Sequence, residues 1–235
     1  MNELTKSDLN FVLSRCPKDI VKMIRLNPGK LFLAGGFIRA TIAGEKCSDV
    51  DLFGSDKEFL KSKAKDLAYD RKGRFFSTDN ATTILAPPRY PVQFITRWLF
   101  SDAVSLINSF DFTVCQAAIW SEKVAEDKII FRSAISNLFY PDLAARRLVY
   151  THPVRDEDVG GSMLRVIKYV KRGYSIQAPS LAGVVARLMS KVIINRIPDS
   201  DKERGAAMVI TGLLREVDPL TVVDGTEFVD EHEVK

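Results

Sequence analysis

Two aspartates, Asp49 and Asp51, stand one residue apart in the run SDVDLF, whose other large members favour burial. In an extended strand alternate side chains share a face, so both carboxylates point one way while Val50 and Leu52 point the other. Two carboxylates that close repel each other, and a cation between them removes the cost. A hard divalent ion is expected there: Mg²⁺, as two ions, or Mn²⁺, in the arrangement that serves in-line phosphoryl or nucleotidyl transfer. Upstream, Gly35 and Gly36 close an apolar run and open a short helical pattern. Glycines at such a place let the backbone approach a phosphate and present N–H groups at a positive helix end. Arg39, one turn further on, is expected to add charge to the same pocket.

Other chemistries find less support. Cys16, Cys47 and Cys115 are far apart, and the histidines are His152 and His232 alone. That distribution speaks against a disulfide framework and against a zinc site. Cys47 and Cys115 read as small buried residues rather than nucleophiles. The net charge of +4 divides unevenly, because residues 217–235 carry −5 and residues 1–216 carry +9. Such an excess is either a solvated lysine surface or an electrostatic footprint for nucleotide or nucleic acid. With 46% hydrophobic residues, no apolar run of the length of a membrane span and no basic-then-apolar start, a soluble, cytoplasmic protein without a membrane partner is expected.

These residues need elements to hold them. Helical spacing runs over residues 3–26 until Asn27-Pro28-Gly29, followed by a strand at 30–34, a helix at 37–43 closed by Gly44, a strand at 48–53 and a helix at 56–69. Strands are expected at 74–77, 82–86 and 92–96, a helix at 103–110, and a strand pair near 112–119 and 129–131. Helices are expected near 134–138, 161–172, 181–194 and 202–215. The fold class is therefore α+β: a small mixed sheet flanked by helices forms a head over residues 1–150, a helical neck-like domain follows at 151–216, and residues 217–235 form an acidic, mobile tail.

LAGGFIRATIAG followed by SDVDLF resembles the G-G-x-x-R-D and D-x-D signature of the polymerase-β-like nucleotidyltransferases, nearest to the heads of class II CCA-adding enzymes and bacterial poly(A) polymerases. FDFTVCQAAIW at 110–120 is similar to R-R-D-F-T-x-N-A. NLFYPDLAARRLVYTHP at 137–153 resembles D-L-x-x-x-x-L-R, and DVGGSMLRVIKYVKRGYSI at 158–176 looks like the E-D-x-x-R helix with its trailing R-A-x-R. The resemblance implies a metal-dependent, template-independent nucleotidyltransferase with Asp49 and Asp51 on two metals and Gly35, Gly36 and Arg39 on the triphosphate.

Departures from the pattern bear on substrate. Ala40 replaces the acid of R-D, and Ser109-Phe110 replace two arginines before Asp111. The base-reading motif becomes Asp158-Val159-Gly160-Gly161-Ser162, with Asp158 alone retained, so a C-then-A programme is not expected. Gln93 stands where a third carboxylate is expected, and an amide cannot take a proton, so Asp111 is the substitute base for the attacking hydroxyl. Arg165 and Lys168, on the helix that carries Lys171 and Arg172, are assigned to nucleotide or acceptor binding, with Arg146 and Arg147 extending the basic surface. Tyr169 and Tyr174 fit either base stacking or core.

The expected activity is transfer of a nucleoside monophosphate from an NTP or dNTP to a hydroxyl, a nucleic-acid 3′ end with tRNA favoured, with release of pyrophosphate. The alternatives are a compact toxin or antiviral-defence nucleotidyltransferase that makes signalling oligonucleotides or modifies a protein, and a non-catalytic nucleotide- or RNA-binding module.

Overall fold

The computed structural model describes residues 2–154, 159–192 and 201–217; the expected tail beyond Val217 lies outside them. Two helices begin the chain, α1 (Lys6–Arg15) and α2 (Lys18–Leu26). The helix expected over 3–26 is thus divided, because Pro17 offers no N–H to the preceding turn and instead sits at the start of α2. Thr5 caps α1 by accepting the Asp8 N–H at 3.1 Å.

Strand β1 (Phe32–Ala34), helix α3 (Gly36–Ala43), strand β2 (Val50–Phe53) and helix α4 (Lys57–Arg71) follow. Three strands come next, β3 (Arg74–Ser77), β4 (Ala81–Leu85) and β5 (Val92–Ile95), then α5 (Ala103–Asn108), a 3₁₀ turn at Thr113–Cys115, and the long hairpin of β6 (Ala117–Ala125) and β7 (Lys128–Ile135). Beyond it lie α6 (Phe139–Ala144), β8 (Arg147–Leu148), α7 (Val159–Lys171), β9 (Ser175–Ile176), α8 (Ala178–Met189) and α9 (Lys202–Val217). Residues 134–135, expected to open a helix, end β7: Ala134 and Ile135 pair with Ala118 and Ala117 in antiparallel register.

The strands form one mixed seven-stranded sheet, ordered β3-β4-β5-β2-β1-β6-β7, with β2 and β5 its parallel pair. A second, two-stranded sheet joins β8 to β9. Alternation divides the large sheet into two faces. Leu33, Val50, Leu52, Val92 and Phe94 pack with α2, α3 and α4 residues into the larger core. Phe32, Ala34, Phe53 and Ile95 point to the other face, where α5 supplies Leu106 and Ile107. The larger core also takes in Leu148, Tyr150, Val166, Tyr169, Tyr174 and Val184, so apolar packing runs unbroken across residue 150 into α7 and α8. Among the described residues no helix is long and apolar enough to cross a membrane.

Candidate active site

Asp51 shares strand parity with Phe53 and so belongs to the α5 side of the sheet, away from the larger core. Asp49 immediately precedes β2 and is only 8% exposed, with the Ser48 hydroxyl donating to its Oδ1 at 2.7 Å. Asp51 is half-buried. Beside it in the sheet lies Gln93, its register partner on β5, and beside Gln93 lies Thr83 on β4. A carboxylate, an amide and a hydroxyl thus form a polar row on one face. Gln93 is 1% exposed, and its Nε2 has no protein partner.

The turn before α3 is built by two glycines with different reasons for being glycine. Gly35 has φ of +77° and ψ of −127°, a conformation that side chains avoid, and a Cβ there would come within 3.1 Å of the Phe110 ring. Its N–H is spent on the Ala117 carbonyl at 3.0 Å. Gly36, the first residue of α3, would place a Cβ in open space. Among the described residues nothing beyond the neighbouring backbone of α3 lies within 4 Å of that position, which leaves room for a ligand across the helix start. Phe110 also packs edge-on against Phe53, with centroids 5.9 Å apart, so an apolar wall joins the glycine turn to the end of β2.

The donor set can be tested against the expected metal. Among the described residues no group of three or more His, Cys, Asp or Glu side chains gathers into a metal cage. Two hard carboxylates suit an ion that arrives with further oxygen ligands, as Mg²⁺ does on a triphosphate, and do not suit a resident ion held by protein alone. Both side chains are oxygen donors of the type that Mg²⁺ and Mn²⁺ take.

The other expected site residues have partners of their own. Arg39 does not line the glycine turn's open side. It is 2% exposed, with its guanidinium carbon 4.7 Å from the Tyr169 ring centre and 5.8 Å from that of Tyr174. Both tyrosines are core residues, and the stacking of a base on them is precluded by burial. Burial raises the Tyr169 phenol well above its ordinary pKa and pushes Tyr174 up to about 12.

Asp111 is 2% exposed, and its Oδ2 accepts from Ser162 Oγ at 3.0 Å and from Arg165 Nη1 at 2.8 Å. These bonds join the head to α7, and a base role for Asp111 would require their release. Arg165 is correspondingly committed to that ion pair. Lys168 is half-buried on the same helix, and Asp158 lies outside the described residues. Arg147 pairs with buried Asp142 at 2.6 Å, and Arg146 donates to the Arg172 carbonyl at 3.0 Å, so both hold local structure as well as charge. Burial pushes the Cys115 thiol up, which removes it as a nucleophile.

Comparison with known proteins decides the family. Residues 3–146, more than half of the chain, match the family described as "Gabija anti-defense 2 family protein". The chain belongs to the Gabija anti-defense 2 family. A curated relative, Gabija anti-defense 2 of Bacillus phage SPbetaL7, is 28% identical over 180 residues, which are 75% of this chain and 41% of that protein. The chain therefore spans less than half the length of the relative it matches. Among solved structures, a Thermotoga maritima CCA-adding enzyme complexed with tRNA superposes with a TM-score of 0.55 at 16% identity, over 88% of this chain and 52% of that one. A CCA-adding enzyme in complex with ATP gives 0.55 at 18%, over 91% and 51%. A tRNA nucleotidyltransferase with a primer tRNA and an incoming ATP analogue gives 0.52 at 15%, over 90% and 63%. These likenesses establish the polymerase-β-like nucleotidyltransferase fold.

Proposed function

We propose that this family member is a metal-dependent nucleotidyltransferase that acts in the cytoplasm against Gabija defence. The observation that carries the reading is the placement of Asp49 and Asp51 at β2, with Asp51 on the α5 side of the sheet, in a fold whose glycine turn leaves the start of α3 bare at Gly36. Gly36 and the first turn of α3 would hold the triphosphate, and Phe110 would wall the pocket. Asp49 and Asp51 would hold Mg²⁺, which when bound neutralises the triphosphate and lowers the pKa of the attacking hydroxyl. The hydroxyl oxygen bonds to the α-phosphorus, the bond to the β-phosphate bridging oxygen breaks, and pyrophosphate leaves. The hydroxyl proton passes to water, because Gln93 cannot accept it and Asp111 is tied to Arg165.

The acceptor is a hydroxyl on a nucleic-acid 3′ end or on a Gabija component. The fold's likeness to tRNA-bound enzymes supports the first, and the family supports the second. The alternative of a compact toxin or antiviral-defence enzyme differs in direction from the family, which is named for anti-defence. Purified protein incubated with each labelled NTP and dNTP, with and without tRNA and Gabija proteins, should transfer label in Mg²⁺. A second reading, nucleotide binding without turnover, is favoured by the amide of Gln93 beside Asp51. Tight nucleotide binding with no transfer to any of these acceptors would select it.

A further inference from the structure

We propose that Arg39 is a positioning residue that couples nucleotide binding at the Gly35–Gly36 turn to the docking of α7 on the head; the inference rests on the nucleotidyltransferase reading of that turn. Arg39 lies in the first turn of α3, its backbone N–H making the first helical bond, to the Gly35 carbonyl at 3.3 Å. Its side chain leaves the turn for the core and ends on residues that α7 delivers. Tyr169 lies on α7, and Tyr174 lies just beyond its end. Glu45, immediately after the Gly44 cap of α3, completes the group, 3.3 Å from Arg39 Nη1 and accepting the Tyr174 hydroxyl at 2.8 Å. The Tyr169 hydroxyl is 2.8 Å from the Cys115 sulfur, which fastens α7 to the head a second time.

The guanidinium is held in an uncommon way. Its Nε and Nη1 make no hydrogen bond among the described residues, although the residue is almost wholly buried. Two aromatic faces and one carboxylate therefore supply the compensation that a buried cation needs. If α7 left the head, Arg39 would lose both rings at once, and α3, which begins at the turn, would lose that contact with α7. Linkage makes the relation mutual: a nucleotide that favours the ordered turn also favours docked α7. The Asp111 bonds to Ser162 and Arg165 place α7 in the same register from its other end.

Calorimetric titration of Mg·ATP, with Mg·GTP, Mg·CTP and Mg·UTP in turn, tests this. Arg39→Leu and Tyr169→Leu should each raise Kd about tenfold, the ratio that 1.4 kcal/mol produces, and the double variant should be no worse than either alone. Tyr169→Phe keeps the ring and loses only the Cys115 contact, so it should weaken affinity less than Tyr169→Leu, and Arg39→Lys should recover part of the loss seen in Arg39→Leu. The effect should appear in KM more than in kcat. Folded Arg39→Leu or Tyr169→Leu protein with unchanged Kd overturns the proposal. Should those variants fail to fold, hydrogen exchange on the unaltered protein decides: Mg·ATP should slow exchange in residues 159–171, and unchanged rates there overturn the coupling. An unaltered protein that binds no nucleotide sinks the reading of the turn instead, and the inference with it.

Discussion

Asp51 and Gln93 are partners in parallel register, yet they ask for different chemistry, one for a cation and the other for hydrogen-bond partners. Replacing Asp49 and Asp51 together by asparagine removes the metal donors while changing little volume, so pyrophosphate release should fall by about 10³-fold or more, the scale of several kcal/mol of charge stabilisation. Gln93→Glu supplies the acid missing from the row. Turnover should rise by roughly tenfold to a hundredfold and acquire a limb that falls as pH drops through the carboxylate range. The strand that carries Asp51 was legible because its apolar pattern is local. The adjacency of Gln93 to Asp51 rests on a strand pairing across some forty residues, which periodicity does not report. The burial of Arg39 was not legible for a similar reason: the two tyrosines around its guanidinium come from far along the chain.

Among elements, the glycine turn separates folding from function. Gly35→Ala forces a side chain into positive φ against the Phe110 ring and should cost about 1–3 kcal/mol of stability in a denaturant titration. Gly36→Ala meets open space at a helix start and should leave stability within about 1 kcal/mol while weakening Mg·ATP binding. Normal nucleotide affinity in Gly36→Ala would remove the phosphate role of that residue. The link between α2 and α4 offers a pH test. Arg71 donates to Asp19 through Nε at 2.7 Å and Nη2 at 2.9 Å, its own side chain fully buried. Partial burial alone would raise the Asp19 pKa, but the bonds and charge of Arg71, the Ile20 N–H and Arg89 hold it below the ordinary value.

The stability from this pair is therefore complete above the ordinary aspartate range and is lost as pH falls through the lowered folded value. Asp19→Asn should lower stability near pH 7 by about 2 kcal/mol, since a buried guanidinium loses its ionised partner, and should flatten the acid limb of the melting curve. Strands and helices with strong local patterning were legible, among them β2, α3 and α4. The division at Pro17 and the extension of β7 to Ile135 were not, because a helical apolar spacing continues through the first and a run of small and apolar residues fits either state at the second.

For the whole molecule, the four ordered motifs were enough to indicate the polymerase-β-like fold, and superposition on CCA-adding enzymes supports that architecture. No pattern within the chain indicated the family's link to Gabija, because the motifs quoted are those that build the sheet and its glycine turn. Charge provides a test at this scale. Removing residues 218–235 takes the net charge from +4 to +9, and tRNA binding should strengthen, with the difference shrinking between about 50 and 200 mM salt as counterions screen it. The central claim, that β2 carries a metal-dependent nucleotidyl-transfer site, is tested most directly by label transfer from α-³²P-labelled nucleoside triphosphates in Mg²⁺. Unaltered protein should attach label to tRNA or to a Gabija protein and release pyrophosphate, and the Asp49→Asn, Asp51→Asn variant should do neither. Equal transfer by both proteins would contradict the account.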